Sequence, residues 1–436
     1  MTLSDGPPDA DQWLGELAAE AGQRPLVVAF SGGLDSTFLL ASLLRAGLGD
    51  RVSAVHVDHG LQPDSARWAD HCQGVMAALG VSGAVERLRL VPGSNLESRA
   101  RQARYRALAR HVPADGWLVL AHHRDDQAET LLLRLLRGAS VRGLSGMRRH
   151  QQLDGLTLWR PLLDCSRDWI QARAEHWQLS WVEDPSNRES GPDRNFLRHQ
   201  VLPALSQRWP AADRLAATAQ ACEEAATLAD DLAGLDAQQA LLGDQLSVTA
   251  LLGLSGPRRR NLLAWWLRRQ GLQVPDRAWL ARLHQQVLLA GEDREPRLGL
   301  AQHVCCRFRD RLFLLPESAL EPLTGEHQWL PTPGQSLALA SATLHARAAP
   351  AELMLRPPAQ PLTVRAADGG ERILLGGMHR QVSELWRERS VPPWQRRRLP
   401  LLLLGDEVVA AAAIGVADSW QPAAGETAVG LHIEVH

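Results

Sequence analysis

Apolar residues in the first 180 positions fall into two alternating kinds of run. Short runs at 26–30, 52–57, 85–90 and 117–121, the first and last of them unbroken, are each followed by a longer stretch of amphipathic character. The short runs read as buried strands, and the longer ones as helices ending near Ala46, Leu79, Arg110 and Arg137. Residues 156–163 read as a fifth extended segment, and Ser166 as the N-cap of a helix to about Leu179. This alternation predicts right-handed βαβ units in an α/β, doubly wound parallel sheet of Rossmann-like type. Ligands of such sheets bind beyond the carboxyl ends of the strands.

Residues 181–195 are polar and rich in turn formers, and read as a surface loop. Helical patterning resumes at Phe196, runs through an Ala-rich stretch to about Ala233, and continues over 250–290. Strand-like pieces at 304–308 and 311–315 follow, then a segment rich in Pro, Ala and Thr that reads as linker plus irregular β structure. The last segment shows strands at either end and a helix around 380–389. The expected organisation is a catalytic α/β domain at 1–215, a mainly helical domain at 216–320, a linker at 321–360 and a small α+β domain at 361–436.

Composition narrows the chemistry. The 436-residue chain has a formal net charge of −2, so a nucleic-acid partner would have to meet a local basic surface. It contains no lysine, which a genome with G+C bias explains and which excludes a lysine nucleophile or Schiff base. Five scattered cysteines form no C-x-x-C pair, so zinc, a redox pair and a disulfide framework are not expected. The N-terminus has no signal region and no segment has 18 apolar residues free of charge, which predicts a cytoplasmic protein without a membrane anchor.

The first apolar run breaks into Ser31-Gly32-Gly33-Leu34-Asp35-Ser36 and then a helical pattern. Strand, glycine turn and helix N-terminus in immediate succession make an anion site, because the first helical amides have no partners within the helix. Asp35 sits where a phosphate pocket would otherwise exclude it, which makes sense if Mg²⁺ lies between carboxylate and phosphate. A plain solvated turn is the competing reading.

Three further motifs lie at strand ends or on the helices that follow. In His122-His123-Arg124-Asp125-Asp126-Gln127-Ala128-Glu129, Asp126 and Glu129 share a helix face. They either offset the helix dipole or form a pocket for a metal or an ammonium group. His56-Val-Asp-His59-Gly60 reads as a turn lining the nucleotide pocket rather than a zinc pair, since strand positions three apart face opposite sides. Arg99, Arg101, Arg104 and Arg106 form either a solvated basic face or a source of charge for phosphoryl chemistry. Near the C-terminus, Trp394 and Arg396-Arg397-Arg398 combine an aromatic with an arginine cluster, suited to RNA contacts if exposed and otherwise ordinary surface charge.

Together these blocks resemble the tRNA(Ile)-lysidine synthetase family of PP-loop (N-type) ATP pyrophosphatases. The matching pieces are SGGLDS at 31–36, HVDHGL at 56–61, ARQARY at 100–105, HHRDDQAETLLLRLLRG at 122–138 and GLSGM at 143–147. RPLL at 160–163, DRNFLRHQVLP at 193–203 and VPPWQRRRLPLLLLGD at 391–406 complete them. The resemblance implies ligation of free L-lysine to C2 of the wobble cytidine of a CAU-anticodon tRNA(Ile), through an adenylated intermediate. It implies that Ser31, Gly32, Gly33, Leu34, Asp35 and Ser36 hold ATP and its pyrophosphate, with Asp35 also on Mg²⁺. Asp126 and Glu129 would bind the lysine ammonium group, while Asp35, Arg101, Arg104 and His122 would serve catalysis. Arg194, Arg198, Arg396, Arg397 and Arg398 would contact the tRNA. A homodimer is left open, and the runner-up is a related tRNA thiolase. The segment 380–386 is less basic than is usual in that family, and 317–362 carries no signature of it.

Overall fold

The computed structural model describes residues 9–60, 65–88, 96–183, 193–291, 294–348, 350–423 and 425–435. It divides into two compact units, Met1–Ala229 and Asp230–His436, with the boundary inside one long helix, Ala211–Ala240.

In the first unit a helix α1 (Ala10–Ala21) precedes the expected alternation. Strands β1 (Leu26–Ala29), β2 (Val52–Asp58), β3 (Ser82–Arg87) and β4 (Trp117–Val119) are followed respectively by helices α2 (Leu34–Arg45), α3 (Ser65–Ala78), α4 (Leu96–Ala109) and α5 (Arg124–Leu136). A short α6 (Val141–Leu144) leads to β5 (His150–Leu153) and β6 (Leu156–Trp159), and then to α7 (Arg167–His176). The sheet order is β3-β2-β1-β4-β6-β5, parallel except for the edge strand β5. The chain runs outward from β1 to β3 and then restarts on the other side at β4. The crevice between the ends of β1 and β4 is therefore the topological switch point at which ligands bind.

Burial explains the central elements. Leu26, Val27 and Val28 are covered on both faces, as parallel strands between helices must be. Residues Trp13, Leu17 and Ala21 turn one face of α1 inward, and Trp13 stacks on Phe38 of α2 at 5.9 Å. Trp169 meets both rings edge-on, and its helix α7 starts at Ser166, whose Oγ accepts from the Trp169 N–H at 3.2 Å.

Three expectations for this unit need correction. The third strand begins at Ser82, not at 85, because its register is set by pairing Ser53 with Ser82 across a half-exposed edge. Residues 89–90 lie outside the described residues. The extended segment at 156–163 stops at Trp159, and its first half is one arm of a hairpin with β5. The turn, Asp154-Gly155, has φ of 49° and 82°, the left-handed pair that a two-residue hairpin loop requires. Of the loop at 181–195, residues 184–192 lie outside the described residues, but Asp193–Phe196 is helical (α8) and runs through a π-turn, Leu197–Val201, into Leu202–Ser206.

The second unit is richer in β structure than its sequence suggested. Helices Val248–Gly253, Gly256–Arg269 and Arg277–Arg282 bury Leu251, Leu262, Leu263, Trp266 and Leu280 against a five-stranded antiparallel sheet. In the stretch expected to be linker, His327–Trp329 pairs with Leu362–Arg365, while Ala342–Arg347 pairs with Val429–Val435. Ser336–Ala338 and Leu353–Leu355 complete the four strands of that stretch. Among the described residues, no helix is long and apolar enough to cross a membrane.

Candidate active site

The glycine turn after β1 has one position that only glycine can fill. Gly32 has φ of 78°, and a Cβ there would lie 2.6 Å from Sγ of Cys72. Gly33 is the N-cap of α2 and brings no side-chain cap, so the first amides of the helix point outward unpaired by it. The two serines brace the turn from inside. Ser36 Oγ accepts from the Ser31 N–H at 3.2 Å and donates to the Gly33 carbonyl at 3.1 Å, while the two hydroxyls are 3.0 Å apart. The Val182 N–H donates to the Gly32 carbonyl at 3.0 Å, tying the chain beyond α7 to the turn. His56 and Phe30 join the neighbouring strands, with imidazole Nδ1 3.0 Å from the Phe30 carbonyl. Gly60, at φ of 62°, donates its N–H to Asp58 at 2.8 Å.

Asp35 stands on the first turn of α2, half-buried. Its Oδ1 is buried and has no hydrogen-bond partner among the described residues, which suits a carboxylate that meets a cation. Burial raises its pKa, the negative charge of Asp126 adds to this, and His123 offsets part of the rise. No group of three or more His, Cys, Asp or Glu side chains is placed to hold a metal among the described residues. Any Mg²⁺ held by Asp35 would take its remaining ligands from phosphate and water, in keeping with that ion's habits.

His123, the second of the histidine doublet beyond the end of β4, connects the two halves of the site. Its ring is 2 % exposed; Nε2 lies 3.8 Å from Asp35 and 3.4 Å from Asp126, and Nδ1 lies 3.5 Å from Asp125. Burial opposes protonation, but the surrounding carboxylates prevail, and the pKa is raised. Its backbone N–H donates to Asp126 Oδ2 at 3.1 Å, which fixes the start of α5.

Asp126 and Glu129 do share a face of α5, and both are buried. Their partners are Arg194 and Arg198. Arg194 Nε reaches Glu129 at 2.6 Å and its terminal nitrogen reaches Asp126 at 3.0 Å. Arg198 Nε reaches Glu129 at 2.5 Å, with a terminal nitrogen 3.0 Å from Asp126. Burial alone would raise the Asp126 pKa, yet His123, Arg194, His122 and Arg198 hold it down at about 2. Arg194 and Arg198, expected to contact RNA, thus direct their guanidinium groups at the acidic pair. No residue spacing could show this, because the partners lie 65 to 72 positions apart.

Beside the pair lie His122, Arg104 and Arg160. Burial pushes the His122 pKa down to about 3, and Arg160, Arg194 and Arg104 add to the effect against Asp126. Arg160 is buried and donates to His122 Nδ1 at 3.3 Å, to the Arg148 carbonyl at 2.7 Å and to Gln151 at 3.1 Å. Burial likewise lowers the Arg104 pKa, with Arg101 and Arg194 nearby. Arg101 lies one turn away on the exposed side of α4, its guanidinium 5.7 Å from the Tyr105 ring. The GLSGM stretch packs along α5: the Gln127 side chain on the first turn bonds both the N–H and the carbonyl of Met147 at 2.6 Å, and Arg134 near the other end bonds the carbonyls of Gly143 at 2.8 Å and Gly146 at 2.7 Å.

Comparison with known proteins finds relatives along nearly the whole chain. The PP-loop domain family matches residues 8–205, the TilS substrate binding domain 246–313 and the TilS substrate C-terminal domain 362–434. The tRNA(Ile)-lysidine synthase of Alkalilimnicola ehrlichii is 42 % identical over 406 residues, covering 89 % of each chain. That of Serratia proteamaculans is 40 % identical over 433 residues, covering 97 % of this chain and 98 % of the relative. The chain belongs to the tRNA(Ile)-lysidine synthase family. Among solved structures, the U34-tRNA thiolase NcsA from Methanococcus maripaludis aligns with 49 % of this chain and 78 % of its own, at 14 % identity and a TM-score of 0.41. That likeness is too slight to bear on function.

The C-terminal block of this family member differs from its expected layout. Trp394 is buried, edge-on to Phe308 at 6.2 Å and to Phe313 at 5.1 Å, so it packs rather than offering a stacking surface. Arg398 is also buried and bonds the Ala319 carbonyl at 3.3 Å, while Arg396 bonds the Val391 carbonyl at 2.7 Å. Of the three arginines, Arg397 is the exposed one, with Glu295 3.6 Å away.

Proposed function

We propose that this protein is an ATP-dependent ligase that joins L-lysine, through its ε-amine, to C2 of the wobble cytidine (position 34) of a CAU-anticodon tRNA(Ile). In the first step O2 of the cytosine attacks the α-phosphorus of ATP, the bond to the β-phosphate breaks, and pyrophosphate leaves. In the second, the lysine nitrogen attacks C2, the C2–O bond breaks, and AMP leaves with that oxygen; the amine gives up its protons to solvent. The outward amides at the start of α2, with Gly32 and Gly33, suit the leaving pyrophosphate. Asp35 would hold Mg²⁺, which supplies charge neutralisation for that leaving group. Asp126 and Glu129 suit the ammonium end of lysine, and neutral His122 with Arg104 suits the reacting base.

One observation carries this reading. The single imidazole of His123 lies within 4 Å of both Asp35 and Asp126, which supports reading the two as adjoining sides of one site, for the leaving group and for the amine. A thiolase would call on a thiolate, whereas burial pushes Cys72, Cys165 and Cys305 up to about 12.

The test is incubation with ATP, Mg²⁺, labelled lysine and CAU-anticodon tRNA in a cytoplasm-like buffer. Label should enter RNA bearing the wobble cytidine and not RNA bearing uridine there. Label entering neither RNA would overturn the proposal.

A further inference from the structure

Beyond β6 the sheet leaves a groove of about 680 Å³ between α4 and the β5–β6 hairpin, all within the first unit. One helical face of α4, from Arg101 through Tyr105 to Ala109, forms one wall. Leu153, Leu156 and Leu158 of the hairpin form an apolar floor. We infer that this groove seats an unpaired nucleotide of the RNA adjacent to the reacting cytidine, a subsite distinct from the pocket of the cytidine itself. The inference rests on the RNA-modifying role proposed above.

Three features point to a nucleotide. First, the walls pair a flat aromatic with an apolar floor: the half-buried Tyr105 ring has guanidinium groups of Arg101 and Arg104 at 5.7 and 5.8 Å. An unstacked base finds a platform of this kind on aromatic and arginine planes. Second, the charge is right for a phosphodiester. Arg101, Arg106 and Arg160 line the groove against Asp154 alone, and neither Arg101 nor Arg106 has an ion pair or hydrogen bond among the described residues. Unpaired cations beside apolar surface are what a phosphate-bearing base requires. Third, the groove abuts the reaction centre. Arg160 lines it and also donates to His122 Nδ1 at 3.3 Å, so one side chain spans the two sites. Gln151 accepts from Arg160 through Oε1 at 3.1 Å, and its amide N–H groups remain to read a base edge.

A peptide would satisfy the apolar floor but not the unpaired arginines. The adenine of ATP is the other flat anionic-tailed candidate, and the experiment separates it.

Binding of the full-length protein to CAU-anticodon tRNA is measured without ATP or lysine, using RNA with a single abasic site on either side of the wobble position. One of the two abasic sites should weaken binding about tenfold, the loss of one base–aromatic stack. Two variants fill the groove: Leu153→Trp at its floor and Gln102→Trp at its exposed rim, the second chosen because an exposed helix position tolerates the change. In each folded variant, intact tRNA should bind about tenfold more weakly, and the abasic penalty should shrink to under about twofold. Arg106→Ala should reduce the salt slope of binding by about 1. An abasic penalty of the same size in wild type and Gln102→Trp would overturn the inference. So would a rise in the KM for ATP with RNA affinity unchanged. Because binding is read without turnover, failure of wild-type lysine incorporation with an intact abasic coupling would reject the proposed reaction and leave the subsite standing. The reverse pattern would reject the subsite alone.

Discussion

Arg160 donates through Nε to Nδ1 of His122 at 3.3 Å, and this bond leaves the imidazole proton on Nε2. Burial and the nearby arginines keep the ring neutral down to about pH 3, so wild-type His122 is a fixed donor across the working range. Arg160→Gln removes a cation and lets the His122 pKa rise, while burial, the larger cause, still holds it below its ordinary value. The neutral form is then lost as pH falls through the raised pKa. The acid limb of lysine transfer by the variant should therefore lie at higher pH than that of the wild type. A pH–rate profile of the variant checks this, and an unchanged acid limb would speak against the role.

Glu129 is 1 % exposed and satisfies two guanidinium groups at once. Glu129→Gln leaves Arg194 and Arg198 with half their carboxylate. The expected cost is about 3 kcal/mol, at the low end for a broken buried pair because both arginines keep some solvent contact. Thermal unfolding measures that cost. Single-turnover assays should show lysine transfer falling more than adenylation, and equal losses would count against an ammonium pocket.

Gly32→Ala forces a Cβ into a left-handed backbone, worth about 1–2 kcal/mol, and also into the Cys72 sulfur. Adding Cys72→Ala should restore the part due to the clash and not the part due to φ. Melting temperatures of the single and double variants, together with the KM for ATP, separate the two contributions.

Asp35→Ala removes the one carboxylate, among the described residues, with a buried oxygen that lacks a partner. Adenylation should fall by at least about a hundredfold, the scale of losing a charge-stabilising group, while tRNA affinity stays within about twofold. Pyrophosphate release and filter binding give the two numbers.

Trp394→Ala should act on stability and not on RNA stacking. Its ring packs on Phe308, Phe313 and Cys306, so truncation costs about 3–5 kcal/mol. Where the variant remains folded, the salt slope of RNA binding should not change.

The central strands were legible because strands buried on both faces are continuous apolar runs, as Leu26-Val27-Val28 shows. Edge strand β3 was misplaced by three residues for the opposite reason, since its half-exposed sequence Ser82–Arg87 has no such run. The β5–β6 hairpin has a local signal in Asp154-Gly155, a pair that two-residue hairpin turns favour. Ala342–Arg347 alternates buried and half-buried positions, a strand signal hidden within a Pro- and Ala-rich setting, and its partner strand lies at 429–435. In the site, the glycine turn and the acidic pair follow from local spacing. The grip of Arg194 and Arg198 on that pair, and the burial of Trp394, depend on which distant segments meet.

The order β3-β2-β1-β4-β6-β5 has an evolutionary consequence. The residues proposed for the adenylation chemistry cluster around the ends of the two inner strands β1 and β4, while the proposed nucleotide groove borrows a wall from the outermost hairpin. Within that hairpin β5 is the rim strand, whereas β6 pairs with β4 and buries Leu158 and Trp159. Substitutions confined to β5, such as at Gln151, can therefore reshape the proposed groove alone, while those in β6 reach the interior as well.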